Sequence, residues 1–255
     1  MKINIKIDSL IDSIKRNPLN QDLRLELIQY YCIDGRWESA LKSIQQYIKL
    51  NPKDSQSKEL FYGNINCEIK RQQVLLGHQK AEVYPRLSVE LINHQNEILN
   101  NYLLKDFNLL QSHFLNTLSK VNNTFECNTG KQISTGSFID TDCRLAFVVE
   151  IFCQDNYYWI SINDIEKIIF KDNEFLTDLM WRRGEIFTKD NQHIPCFFPV
   201  RYPLTESIEL ADSFKYSTTT EWFNTGELST AIGQKVLSNG DVDISFLDIH
   251  SLNSI

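Results

Sequence analysis

The sequence predicts an α+β protein: an N-terminal α-helical bundle with tetratricopeptide-like hairpins, then a C-terminal α/β domain with a mainly antiparallel sheet. Three observations predict it. Over about the first 120 residues apolar side chains recur every three or four positions, glycine is sparse, and only Pro18 and Pro52 precede Pro85. Beyond a polar, turn-rich stretch at 122–131 the texture changes to short β-branched and aromatic runs separated by turn clusters. The long crossover helices that a parallel sheet requires are missing from that second half. Two domains are therefore expected, 1–122 and 132–255, in a chain long enough to bury a sizeable core.

Residues 3–16 read as a first helix closed by Asn17-Pro18. Leu23, Leu27, Ile28 and Tyr31 form one apolar stripe, and Trp37, Ala40, Leu41, Ile44, Tyr47 and Ile48 form the next, with Gly35 between them. This is the pattern of an αα-hairpin. Tyr31, Gly35, Ala40 and Pro52 occupy the places such a repeat needs, with the small residue where two helices cross. Pro18 and Pro52 lie 34 positions apart, the tetratricopeptide period. The next helix, expected over 54–76, does not repeat the pattern, so one repeat unit within a bundle is predicted. A further helical stretch covers 87–121, with a break expected at Asn100-Asn101.

In the second half, 145–153 and 157–162 flank Gln154-Asp155-Asn156 and predict a hairpin. Residues 184–188 and 194–200 predict a second hairpin, and 233–237 with 244–249 a third. Short helices are expected within 163–168 and 174–180.

The formal net charge of -7 and pI of about 5.3 disfavour a phosphate-neutralising surface, so no nucleic-acid partner is expected. The start of the chain places charges among its apolar residues and lacks the h-region of a secretory signal. No apolar run reaches the roughly 18 residues of a membrane span, and a cytoplasmic protein is predicted. Cys32, Cys67, Cys127, Cys143, Cys153 and Cys196 are scattered without a CxxC pair, as expected of reduced, small, buried side chains.

Asp140-Thr141-Asp142 has the spacing of carboxylates that hold a divalent cation in metal-dependent hydrolases and transferases, with Glu150 a further candidate. No phosphate loop accompanies it, and His78, His94, His113, His193 and His250 share no metal-ligand spacing. The preferred expectation makes Asp140, Asp142, Arg144 and Glu221 structural clamps, with no metal, no cofactor and no catalytic residue. Tyr158, Trp159, Trp181, Arg201, Tyr202 and Trp222 are the candidate partner-binding residues, because large rings and arginine anchor interfaces. Strand alternation turns Tyr158 away from Tyr157 and Trp159. A buried arginine among these rings is expected to have a carboxylate partner. Glu68 with Gln72, or Glu68 with Arg71, reads as a solvated pair on one helical face.

Several motifs occur in order: Glu68 with Arg71 and Gly77, Asp140-Thr141-Asp142-Cys143-Arg144-Leu145, Glu150, Tyr157-Tyr158-Trp159-Ile160, Asp178-Leu179-Met180-Trp181, Pro199-Val200-Arg201-Tyr202, Thr220-Glu221-Trp222 and Gly233-Gln234-Lys235. Over nearly its whole length the chain thereby resembles the ImpE family, also called TagJ or SciE-type virulence proteins. It departs at Ala146-Phe147 and Tyr216-Ser217-Thr218, where local loop geometry is expected to differ. The resemblance implies a non-enzymatic adaptor of a bacterial type VI secretion system. It further implies binding to an N-terminal helix of the small sheath subunit and a link to the AAA+ ATPase that disassembles the contracted sheath. A general tetratricopeptide co-chaperone is the remaining alternative; it would need clustered cations, and the helical half offers only scattered Arg24, Arg36 and Lys42.

Overall fold

Helical periodicity and end signals account for the first three helices. In the computed structural model, which describes residues 2–204 and 210–255, α1 spans Ile3–Arg16 and buries Ile3, Ile7 and Leu10, one face of a 3.6-residue repeat. Helix α2 (Gln21–Asp34) begins where the Asn20 side chain accepts the Leu23 N–H at 3.0 Å. It ends at Gly35, whose φ of 78° suits a residue without Cβ. Helix α3 (Trp37–Leu50) returns across α2 with Ala40, Ile44 and Tyr47 inward, completing the expected hairpin.

The helix expected over 54–76 is interrupted. A short α4 (Ser55–Ser57), capped by Asp54, runs into a π-helical segment at Lys58–Gly63 before α5 (Asn64–Leu75). A Cβ at Gly63 would lie 2.1 Å from Asp155 Oδ1, so a larger residue there would displace that side chain. The break between α6 (Glu90–Leu103) and α7 (Phe107–Leu118) falls at Leu104-Lys105-Asp106, not at Asn100-Asn101. Asn101 stays helical, and its side-chain amide bonds the His113 ring nitrogen of the next helix at 2.8 Å.

A nine-stranded sheet organises the rest, in the order β1-β6-β5-β9-β8-β7-β14-β2-β3. Its strands are β1 (Glu82–Val83), β2 (Phe125–Asn128), β3 (Ile133–Gly136), β5 (Val148–Cys153), β6 (Asn156–Ser161), β7 (Ile165–Phe170), β8 (Trp181–Thr188), β9 (His193–Pro199) and β14 (Ser251–Ser254). A three-stranded sheet joins β4 (Ile139–Asp140), β12 (Val236–Ser238) and β13 (Asp243–Ser245). The strands β10 (Thr220–Thr225) and β11 (Leu228–Gly233) form a separate hairpin, and a short α8 covers Asp212–Lys215.

Four expectations are corrected. The stretch 122–131 is not merely a linker: Phe125 and Cys127 turn inward and β2 pairs with β14 near the chain end. The helical half also enters the sheet, since Glu82 and Val83 pair in parallel with Tyr158 and Trp159. The helix expected at 163–168 is a 3-10 turn (Ile162–Asp164) followed by strand β7, whose bulge between Ile165 and Lys167 puts Ile165 and Ile168 inward at a helix-like spacing of three. Gly233 pairs with Thr220 in the unexpected β10–β11 hairpin rather than opening the third hairpin, which is reduced to β12–β13. The two earlier hairpins, β5–β6 and β8–β9, form where expected.

Alternation along the strands divides the core into two clusters. Phe152, Tyr157, Trp159 and Trp181 pack against α1–α5, while Ile151, Ile160, Ile186 and Phe198 belong to the second cluster, to which α6 contributes Ile98 and α7 contributes Leu110. Gly184 sits at a close strand contact: a Cβ there would lie 2.6 Å from the Ile169 carbonyl oxygen and 2.9 Å from the Phe198 ring. Gly184→Ala should destabilise the fold by about 1–3 kcal/mol through overpacking. Urea unfolding checks this, and an unchanged midpoint would contradict the close approach.

Candidate functional site

The charged residues of the ordered motifs converge in the interior, between α5 and the sheet. Arg71 donates from Nε and Nη2 to the two carboxylate oxygens of Glu150 at 2.7 and 2.8 Å, and from Nη2 to the Arg201 carbonyl at 3.0 Å. Glu68 sits 3.4 Å from Arg71 and accepts the Trp181 indole N–H at 3.0 Å. Tyr157 donates to Glu150 at 2.5 Å. Lys235 bridges Glu150 (2.6 Å) and Asp140 (3.1 Å), and Tyr202 donates its hydroxyl to Asp140 at 2.6 Å. Two residues on, Asp142 pairs with Arg144 in a forked geometry and accepts the Ala231 N–H at 2.9 Å. Carboxylates Glu68, Asp140, Asp142 and Glu150 are thus matched in number by Arg71, Arg144, Arg201 and Lys235.

Burial opposes ionisation of Glu150, but Arg71 and Lys235 more than offset it and hold its carboxyl well below the usual range. Burial likewise disfavours charge on Arg71 and Lys235, and their carboxylate neighbours raise both above their ordinary values. For Asp140 burial prevails over Lys235 and its pKa is raised. Arg201 departs from expectation: among the described residues it has no carboxylate at hydrogen-bond distance, and its guanidinium donates to the carbonyls of Cys32 (2.6 Å), Ile33 (2.8 Å) and Lys215. Burial brings its pKa down to about 10, so it remains charged at neutral pH. It thereby closes the C-terminal end of α2, where a cation complements the helix dipole.

This geometry sorts the candidate residues. Trp159, Trp181, Arg201 and Tyr202 are buried within the chain and offer no surface to a partner, correcting the expectation of direct contact. Tyr158 is half-buried and Trp222 is 43% exposed. Glu221 stands exposed on β10, away from the Asp140, Asp142 and Arg144 clamp. Glu68 and Arg71 are buried rather than solvated. The oxygens of Asp140 and Asp142 are occupied by Lys235, Tyr202, Arg144 and backbone N–H groups, and no metal-ligand cluster of three occurs among the described residues. All six cysteines are free and buried, and burial pushes the Cys127 and Cys143 thiols up to about 11 and 12.

The network ends at a surface. Trp222 donates its indole N–H to Thr141 at 2.9 Å, and Thr141 lies 3.2 Å from the Tyr202 hydroxyl. Beside Trp222, a groove of about 510 Å³ is lined by Tyr102, Leu103, Phe107 and Phe223, with Arg144 in its wall. Leu104, Phe107, Leu115 and Leu118 extend an exposed apolar stripe along α7 at spacings of three, eight and three. Phe107 and Leu118 lie exposed on the helical stretch expected over 87–121. The signal missed was that α7 carries Phe107, Leu109, Leu110, Phe114, Leu115 and Leu118, more apolar residues than one helix face can bury.

Residues 133–253 match the model of the family described as ImpE protein. Over 99% of its length the chain is 20% identical to the type VI secretion system accessory component TagJ of Pseudomonas aeruginosa, of which it covers 87%. The C-terminal half of the chain therefore carries an ImpE domain. A crystal structure of protein VPA1032 from Vibrio parahaemolyticus shares the fold, with a TM-score of 0.85 over 99% of this chain and 94% of that one at 22% identity.

The ordered motifs of this chain are largely the buried network itself, with Asp140, Lys235, Glu150, Arg71, Glu68 and Trp181 linked one to the next and the Arg201 carbonyl joined at Arg71. Glu150→Gln leaves two buried cations without their shared counter-charge and should cost about 3–5 kcal/mol at neutral pH. Because the folded-state pKa of Glu150 is depressed, its contribution is complete above the ordinary value of 4.5 and is lost as pH falls from there toward the folded value. Denaturant titrations of both proteins should therefore show the gap closing below pH 4.5. A constant gap would contradict this assignment.

Proposed function

We propose that this chain is a non-enzymatic accessory adaptor of a type VI secretion system. It binds an N-terminal amphipathic helix of the small sheath subunit in the cytoplasm and links the sheath to the AAA+ ATPase that disassembles it. The observation that carries this reading is the exposed apolar stripe of α7, continuous through Phe107 with the groove beneath Phe223, in a chain related to TagJ from end to end. Such a surface suits a helix that presents its own apolar face at i, i+3, i+4 and i+7 spacing. The rigid charged core supports the reading by fixing the β10–β11 hairpin relative to α6, with Arg144 donating to the Ala231 carbonyl and lying over the Tyr102 ring. No helix among the described residues is long and apolar enough to cross a membrane.

Calorimetry with the purified small sheath subunit should give micromolar or tighter binding that disappears when its N-terminal helix is deleted. Leu115→Glu and Phe223→Ser, both at exposed positions, should each weaken binding at least about tenfold, or about 1.4 kcal/mol, without lowering the thermal midpoint. Absence of binding by the unmodified chain would sink the adaptor reading. Full binding by both variants would place the helix elsewhere.

A further inference from the structure

A second concavity shares no lining residue with the groove beside β10. It consists of two cavities, of about 730 and 490 Å³, joined through Glu59, Arg183 and Phe197, which line both. Tyr84, Phe152, Pro195 and Phe197 give the larger cavity an apolar wall. Two uncommon backbone features meet at its rim. One is the π-helical segment Lys58–Gly63, which carries Glu59; the other is the Gln154-Asp155 turn, with φ of 51° and 61°. Such features are enriched at functional sites.

One polar side chain here is unsatisfied. Asn64 is 3% exposed, lines the larger cavity, and its Nδ2 has no hydrogen-bond partner. A buried donor left unmade costs free energy that an incoming acceptor would return. The charges of the rim are also unbalanced. Among the described residues Glu59, Asp155 and Asp172 have no ion-pair partner. Both lining cations are committed, Lys171 to Glu185 at 2.8 Å and Arg183 to Asp178 at 3.6 Å and Glu174 at 3.9 Å. His193 also faces Glu185, at 2.9 Å.

We infer that this double cavity is a docking trough for an extended, basic peptide segment of a protein partner. The segment sets a lysine or arginine among Glu59, Asp155 and Asp172 and a backbone carbonyl against Asn64. The uncommitted acids favour a cation and repel phosphate or carboxylate ligands. A lysine or arginine stem packs on Phe152 and Phe197 while its head stays in water. Two joined cavities suit a chain running from one to the other better than a compact small molecule. Asn64 lines the wall with its Nδ2 buried, so a side-chain rotation presents that donor to the carbonyl.

The full-length chain, isotopically labelled, would be titrated with a capped hexapeptide of alternating lysine and alanine, and separately with its glutamate counterpart. The expected result is saturable shifts of the Asn64 side-chain amide and of the Asp155 and Asp172 amides with the basic peptide alone. Asp155→Asn combined with Asp172→Asn should weaken that binding at least tenfold. Asn64→Leu should weaken it while leaving the thermal midpoint equal or higher, which a merely structural asparagine would not do. Equal response to both peptides, shifts confined elsewhere, or no response at millimolar peptide would overturn the proposal. Phe223→Ser should leave the titration unchanged, so this proposal and the sheath-binding one can fail separately.

Discussion

The forked pair between Arg71 of α5 and Glu150 of β5 is the interaction on which the arrangement of the two halves depends. A guanidinium in a dry interior is tolerable only where its donors are matched, and here one carboxylate takes two of them and the Arg201 carbonyl a third. That geometry fixes α5 against the sheet at one rotation and one height. Lys235 then carries the charge from Glu150 to Asp140, and Tyr202 and Thr141 carry hydrogen bonding on to Trp222 at the surface. Apolar packing alone would hold these layers together with less positional definition, since burial energy is non-directional.

A second fastening is made largely through backbone carbonyls. Arg201 reaches from the sheet side into the last turn of α2 and bonds the Cys32 and Ile33 carbonyls, while Lys215 pairs with Asp34 at 2.6 Å one residue further on. Glu82 and Val83 add a strand from the helical half to the edge of the sheet. The halves are thus joined by an ion pair, a capped helix end and backbone pairing. A partner can be reached only by residues outside this interior, such as those of the exposed apolar stripe of α7 or the rim of the double cavity.

Much of the local structure was legible in the sequence. The stripes of α1 to α3, the Gly35 turn and the two long hairpins follow from periods of 3.6 and 2 and from turn residues, which are properties of neighbouring positions. Strand β7 was misread because a bulge gives Ile165 and Ile168 a helical spacing, and the 122–131 stretch because a four-residue strand among asparagines shows only Phe125 and Cys127 as signal. In the candidate site, the ordered motifs marked the right residues for the wrong reason. Trp159, Trp181, Arg201 and Tyr202 look like interface anchors in one dimension, and their burial arises from segments distant in the chain, as in the Trp181–Glu68 bond.

The sequence by itself determined the α+β class, the tetratricopeptide-like hairpin, the inward and outward faces of Tyr157, Tyr158 and Trp159, and the family resemblance. Each is written in short-range pattern or in residue identity. Only the tertiary structure decided which charges neutralise one another, that Arg201 caps a helix instead of meeting an acid, that Glu221 is left outside the clamp, and where apolar or acidic surface remains open. The physical reason is that burial and desolvation are set by what the rest of the chain brings to a residue, and a side chain's charge or ring does not specify its partner.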